Sequence, residues 1–239
     1  MSKSKYLDVY NYLKENILNE NFKAGEKLPS ESELTSRFSV SRNTVRRAID
    51  MLATDGLTTS VHGKGVFVIE NKPFKFLVGG LQSFKEASRN NSIKFITNVP
   101  LFEELIVDDK LSKKTGFPIG SKVLHILRVR NINDENVILD INYFLLDTVL
   151  GLTKEMASGS IYKFLEEDSS IKIAGAQKLV SVEPVSSLDR KFIDLGNNNL
   201  VAIIKNFAYL DDGTLFEYTE SHHRPDKFTF TTFARRSNS

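Results

Sequence analysis

Apolar residues along the chain recur at two different spacings: three and four apart up to about residue 55, and in strand-like runs beyond residue 75. The first spacing predicts a helix over residues 5–19, with Tyr6, Val9, Tyr10, Leu13 and Ile17 on one face. Gly25 and Pro29 bracket a turn. Ser30 followed three residues later by Glu33 has the form of a capping box, and Leu34 and Phe38 sit four apart behind it. Ser39 and Val40 interrupt, Ser41 caps, and Val45, Ala48, Ile49 and Leu52 form the apolar stripe of another helix ended by Gly56. Leu57–Ser60 and Val66–Ile69 read as a β-hairpin with the glycine-flanked basic tip His62-Gly63-Lys64-Gly65.

The second spacing predicts strands. In VLHILRVRNI, Arg128 and Arg130 point to one side while His125, Leu127 and Val129 point to the other. VILDINYFL alternates again after the break NDEN. LVAIIKNFAYL leads to the turn Asp211-Asp212-Gly213, and the next strand groups Glu217, Thr219, Ser221 and His223 on one face. KFTFTTFARR is expected as a last strand, and helices are expected near Ser83–Arg89, Ser158–Glu167 and Ser187–Asp194. Hairpins mixed with helices make this an α+β chain. A three-residue loop over Asp134 to Asn136 is expected at NDEN. It sets Arg130 opposite Asp140 and Arg128 opposite Asn142, all on one side; a two-residue loop at Asp134-Glu135 reverses the parity.

Composition narrows the class. The 239 residues suit two domains, with 41% hydrophobic and 26% charged residues. Boundaries are expected at 1–70, a linker at 71–75 and 76–239, because ENKPF is polar, holds Pro73 and lacks periodicity. Cysteine is absent, which fits a reducing cytoplasm, and no apolar run reaches transmembrane length. A net charge of only +2 means that attraction to a polyanion must rest on a local patch.

That patch lies at the start of the helix behind Ser41. Arg42 and Arg46 share a face away from the apolar stripe, flanked by Asn43, Thr44 and Arg47, and no acid occurs in this helix before Asp50. The second helix of a helix-turn-helix puts its N-terminal side chains into the major groove. An isolated Arg-xxx-Arg would be an ordinary solvated face; cap, turn, stripe and hairpin in this order argue for a recognition helix and a wing.

From about residue 6 to 69 the chain resembles the N-terminal winged-helix domain of the GntR family of bacterial repressors. The matching segments are KAGEKLPSESELTSRFSVSRNTVRRAIDMLATDGL and HGKGVFV. The resemblance implies that operator double-stranded DNA is held by Ser41, Arg42, Asn43, Thr44, Arg46 and Arg47, with His62, Gly63, Lys64 and Gly65 from the wing. Ser32 stands where some members carry an arginine used on DNA.

In the second half, Arg128 and Arg130 lie about 7 Å apart on one strand face. That spacing suits two guanidiniums straddling an anion, although Arg-x-Arg taken alone is more often the solvated face of an edge strand. Asp140 and Glu217 taken alone are ordinary strand-surface charge. Residues 75 to 236 resemble the effector-binding domain of the HutC-type branch, a chorismate-lyase-like fold. VGGLQSFKEAS, VILDINYF, GSIYKFLE, AQKLVSVEP, LFEYTESHHRPDKFTF and FARR are most similar to its trehalose-sensing members. This implies a sugar-phosphate effector, trehalose 6-phosphate, and a homodimer formed through this domain. Glucosamine 6-phosphate or N-acetylglucosamine 6-phosphate is the alternative ligand, and a chorismate-lyase-like enzyme the alternative function. The resemblance further implies a phosphate-binding turn at Ser83 and Phe84, neutralisation by Arg128 and Arg130, and pocket walls from Ser160 and Tyr162. Asp140 and Glu217 would accept from sugar hydroxyls, and His223 stands where relatives handling amino-sugar phosphates have tyrosine. No catalytic residue, cofactor, metal or membrane partner is implied. His222 and His223, adjacent on a strand, point to opposite faces, and Gly63-Lys64-Gly65 lacks phosphate-loop spacing.

Overall fold

The computed structural model describes residues 5–69, 95–167 and 171–230. They fall into two compact units, one on either side of the boundary expected at 71–75, which itself lies outside the described residues together with Ser83, Phe84 and the helix expected there.

The first unit holds α1 (Lys5–Leu18), α2 (Glu31–Phe38), α3 (Arg42–Thr54) and the hairpin β1 (Thr58–Val61) and β2 (Gly65–Val68). Both hydrogen bonds of the capping box form: Glu33 N–H donates to the Ser30 hydroxyl at 3.3 Å, and Ser30 N–H to the Glu33 carboxylate at 2.7 Å. Ser39 takes the left-handed conformation (φ 49°) that ends α2 and turns the chain toward α3. Val9, Leu13, Leu34, Val45, Ala48 and Leu52 are fully buried in one core. The two ends of that core are tied by polar contacts, since Asp55 accepts from the Tyr10 hydroxyl and from Lys14 Nζ.

The second unit is a six-stranded antiparallel sheet in the order β3-β4-β5-β8-β7-β6. Its strands are β3 (Phe95–Ile106), β4 (Lys122–Ile132), β5 (Glu135–Leu145), β6 (Ile173–Pro184), β7 (Leu200–Leu210) and β8 (Leu215–His223). One face packs Leu127, Val129, Leu139, Ile141, Val201 and Ile203 under α4 (Asp109–Thr115) and α7 (Ser187–Phe192). The other packs Leu124, Ile126, Phe144 and Ala208 under α5 (Lys154–Ala157) and α6 (Ile161–Glu167).

Three expectations are corrected. The β4–β5 connection is a two-residue turn at Asn133 and Asp134 (φ 51° and 67°), a geometry whose twist matches the strands. Its effect on parity is undone one step later, where the register shifts between Arg130 and Asn131 and Val137 becomes an extra, bulged residue. Arg128, Arg130, Asp140 and Asn142 therefore share a face as expected, but Arg128 sits opposite Asp140, and Asn142 opposite Ile126. The helix expected over Ser158–Glu167 starts only at Ile161: Ser158–Ser160 are not helical and separate it from another short helix, Lys154–Ala157, that was not expected. Of the expected last strand, residues 227–230 form none: a short 3₁₀ turn at Pro225–Lys227 stops the chain, and the remainder lies outside the described residues.

Candidate functional site

The first unit presents its cationic end through α3. Ser41 is spent on the helix cap, its hydroxyl accepting from Thr44 N–H at 3.2 Å, while Arg42 and Asn43 are exposed in the first turn and Thr44 is half-buried. Arg46 is held by Glu31 of α2: its Nε donates to both carboxylate oxygens at 3.0 Å. A guanidinium gripped at Nε keeps its two outer nitrogens together as a fork, the shape that reads a guanine edge. Arg47 turns away from this group and lies 4.0 Å over the Tyr6 ring, so part of its side chain serves the packing of α1 on α3. The turn at His62, Gly63 and Lys64 is exposed at the tip of the hairpin. Gly65 has φ +118°, a conformation that strains any other residue, and a Cβ there would lie 2.6 Å from Lys27 Cε and push that side chain aside.

The second unit buries a set of charges on the sheet face under α5 and α6. Arg128, Arg130, Asp140, Glu217 and His223 are each 8% exposed or less. Arg130 grips Asp140 through Nε (2.8 Å) and Nη2 (2.7 Å), and the Ser221 hydroxyl donates to the other carboxylate oxygen at 2.5 Å. Burial by itself would raise the Asp140 carboxyl, but Arg130 and Arg128 beside it hold it below its usual range. Arg128 donates to the Gly159 carbonyl at 2.6 Å, the group freed by the break between α5 and α6, and its buried Nε has no partner among the described residues. Burial and the neighbouring Arg130 pull its guanidinium down to about 9, so it is still a cation at neutral pH. Glu217 accepts from Tyr162 of α6 at 2.5 Å and from Thr219 at 2.7 Å. Burial raises its carboxyl above the usual range, which those bonds offset only in part. Ser160 caps α6 by accepting from Lys163 N–H at 3.2 Å. His223 is held neutral: burial brings its ring down to about 4, and Nε2 has no partner among the described residues.

Arg128, Arg130, Asp140, Tyr162, Glu217 and His223 thus converge on one face, Ser160 borders them, and Ser83 and Phe84 lie outside the described residues. Thr219 and Ser221, on the same face of β8, donate to Glu217 and Asp140. Asn206 and Lys178 join the face through β7 and β6, a placement that only the sheet order reveals. His222 faces the other way, toward Asp189 (2.7 Å) under α7, where Asp189 and Glu220 overcome the cost of burial and hold its ring charged, at about 9.

Residues 92–229 match the UTRA domain, and residues 5–68 match the bacterial regulatory proteins of the gntR family. The chain belongs to the GntR family. It is 37% identical over 236 residues to the HTH-type transcriptional regulator TreR of Bacillus subtilis, covering 99% of both chains. The solved effector-binding domain of the B. subtilis trehalose repressor is 36% identical, with a TM-score of 0.56 over 60% of this chain and 99% of that one. The B. subtilis regulator YydK shares the fold across 97% of this chain and 99% of its own, with a TM-score of 0.78 at 21% identity. As a GntR-family transcriptional regulator of HutC type, the chain joins a DNA-binding helix-turn-helix to a domain that takes a small molecule.

Proposed function

We propose that this regulator represses a trehalose uptake and utilisation operon and leaves its operator when trehalose 6-phosphate binds the second unit. One observation carries the reading: two guanidiniums and two carboxylates are buried together on one sheet face in a chain this similar to TreR. Arg128 and Arg130 outweigh Asp140, because Glu217 is drawn toward its neutral form. Such a site has surplus positive charge for a phosphate, while Asp140 and Glu217 supply acceptors for sugar hydroxyls.

In this reading the phosphate displaces the Gly159 carbonyl from Arg128, which couples the ligand to the start of α6. A ligand shifts regulation only by its differential affinity for two states, and this exchange supplies one. Ser83 and Phe84 complete the phosphate site, Ser160 and Tyr162 wall it, and His223 contacts the ligand. On the DNA side, Ser41, Arg42, Asn43, Thr44, Arg46 and Arg47 enter the major groove, with His62, Gly63, Lys64 and Gly65 at the wing. The protein acts in the cytoplasm as a homodimer joined through the second unit, on an operator with half-sites about 34 Å apart. It performs no catalysis.

Isothermal titration with trehalose 6-phosphate, trehalose and N-acetylglucosamine 6-phosphate tests the reading. Binding of the first alone, with loss of operator affinity, is the expected result. Binding of N-acetylglucosamine 6-phosphate in its place, or of none of the three, overturns it.

A further inference from the structure

The sheet register sets Asn142 of β5, Thr219 of β8, Asn206 of β7 and Lys178 of β6 in a single row on the face that carries Arg128 and Asp140. The row lies next to that of Arg128, Asp140 and Ser221. The amides of its two asparagines are only partly used among the described residues. Asn142 donates its amide N–H to Thr219 (2.8 Å), and Thr219 passes the next bond on to Glu217 (2.7 Å). The amide oxygens of Asn142 and Asn206 are shielded from solvent and accept nothing among the described residues. Buried acceptors without donors are rare in native proteins and call for an explanation.

We infer that this row is a second sugar subsite, one that takes the unphosphorylated ring of a disaccharide phosphate through the amide oxygens of Asn142 and Asn206. The inference rests on the sugar-phosphate reading above and adds the residues that make the site choose two rings over one. Asn206 is three strands away from Arg128, about 14 Å between backbones at the ordinary strand spacing, room for more than one ring along the face. A pyranose ring carries several hydroxyl donors, and it is donors that these oxygens lack, whereas a phosphate offers them acceptors only. The row holding Arg128 and Asp140 carries the two arginines' surplus positive charge, while between it and Lys178 on the outer strand stand the neutral groups Asn142, Thr219 and Asn206. Two cations beside one ring and neutral hydrogen-bonding groups beyond it match a ligand that is anionic at one ring and uncharged at the other.

The test is isothermal titration of the full-length protein with trehalose 6-phosphate and with glucose 6-phosphate, for wild type, Asn206→Leu and Asn206→Asp. The wild type is expected to prefer the disaccharide. Asn206→Leu should weaken trehalose 6-phosphate about 5- to 10-fold and leave glucose 6-phosphate unchanged, the loss of one hydrogen bond. Asn206→Asp, which keeps an acceptor oxygen, should restore most of the preference. Thermal unfolding checks each variant, and Asn206→Ala replaces the leucine variant should that one fail to fold. Disaccharide binding unchanged in Asn206→Leu, or an equal loss for both ligands, overturns the subsite while the phosphate reading stands. Failure of the wild type to bind either sugar phosphate overturns both.

Discussion

Asp140→Asn tests whether the buried charge cluster is held as described. The substitution preserves shape and leaves an oxygen for Ser221, but removes the negative charge facing Arg130 and Arg128. Asp140 is 4% exposed and Arg130 8%, so water cannot take over the lost partner. Removing one member of a buried ion pair costs about 3–5 kcal/mol, because the remaining charge stays desolvated. Glu217, drawn toward its neutral form, compensates only in part. For a unit of this size each kcal/mol moves the unfolding midpoint by a few degrees, so a drop on the order of 10 °C is expected. Far-UV circular dichroism melts of wild type and variant measure it. The same melts in inorganic phosphate supply the second half of the argument. An anion bound between two uncompensated arginines stabilises by up to about 2.7 kcal/mol at a hundredfold excess over its Kd, so the variant should recover more than the wild type gains. A variant that melts with the wild type, or that gains no more from phosphate, refutes the assignment of Asp140 as the charge that balances the arginines.

Arg42→Ala should weaken operator binding roughly tenfold or more, the value of an arginine–base contact, and leave sugar-phosphate binding intact; fluorescence anisotropy with operator and scrambled duplexes reads the first and isothermal titration the second. Gly65→Ala should also weaken operator binding, because an alanine there needs a strained backbone and displaces Lys27; the anisotropy loss should come with a lower melting midpoint of the first unit. Stability should also depend on pH with opposite signs at the two adjacent histidines. His222 titrates at about 9 in the fold against 6.5 ordinarily, so its contribution is full below pH 6.5 and is lost as pH rises through 9. His223 titrates at about 4, so its contribution is full above pH 6.5 and is lost as pH falls toward 4. Urea midpoints across this range should peak near neutrality, and His222→Gln should remove the alkaline decline.

Much of the first unit was legible because its signals are local. The Ser30–Glu33 box, the stripe from Val45 to Leu52 and Gly56 are all set by neighbours within a turn or two. What escaped there was long-range, such as the bond from Arg46 to Glu31 and the packing of Arg47 on Tyr6. In the second unit the central strands β4, β5, β7 and β8 were visible in their apolar runs. Strands β3 and β6 were not: as edges they carry Asn98 and Pro100 in one and Gly175 and Lys178 in the other, residues that blur the pattern. Without β6 in place, the row joining Asn142, Asn206 and Lys178 had no geometry. The link between Arg128 and Gly159 was hidden for a different reason, since it depends on a helix break that the periodicity of residues 158–167 does not announce.

The bulge at Val137 bears on how this hairpin tolerates change. It is a spare residue: excising it leaves Arg130 opposite Ile138 and Arg128 opposite Asp140, whereas excising Leu139 leaves the arginines on one side and carries the acid to the other. Flattening the bulge with Val137 still present does the same, delivering the carboxylate beside Leu127 and Val129. The apolar face thereby proofreads the charged one. A chain that pairs out of step meets a prohibitive burial on the far side of the sheet, and only the in-step hairpin gathers two arginines and an acid on one face.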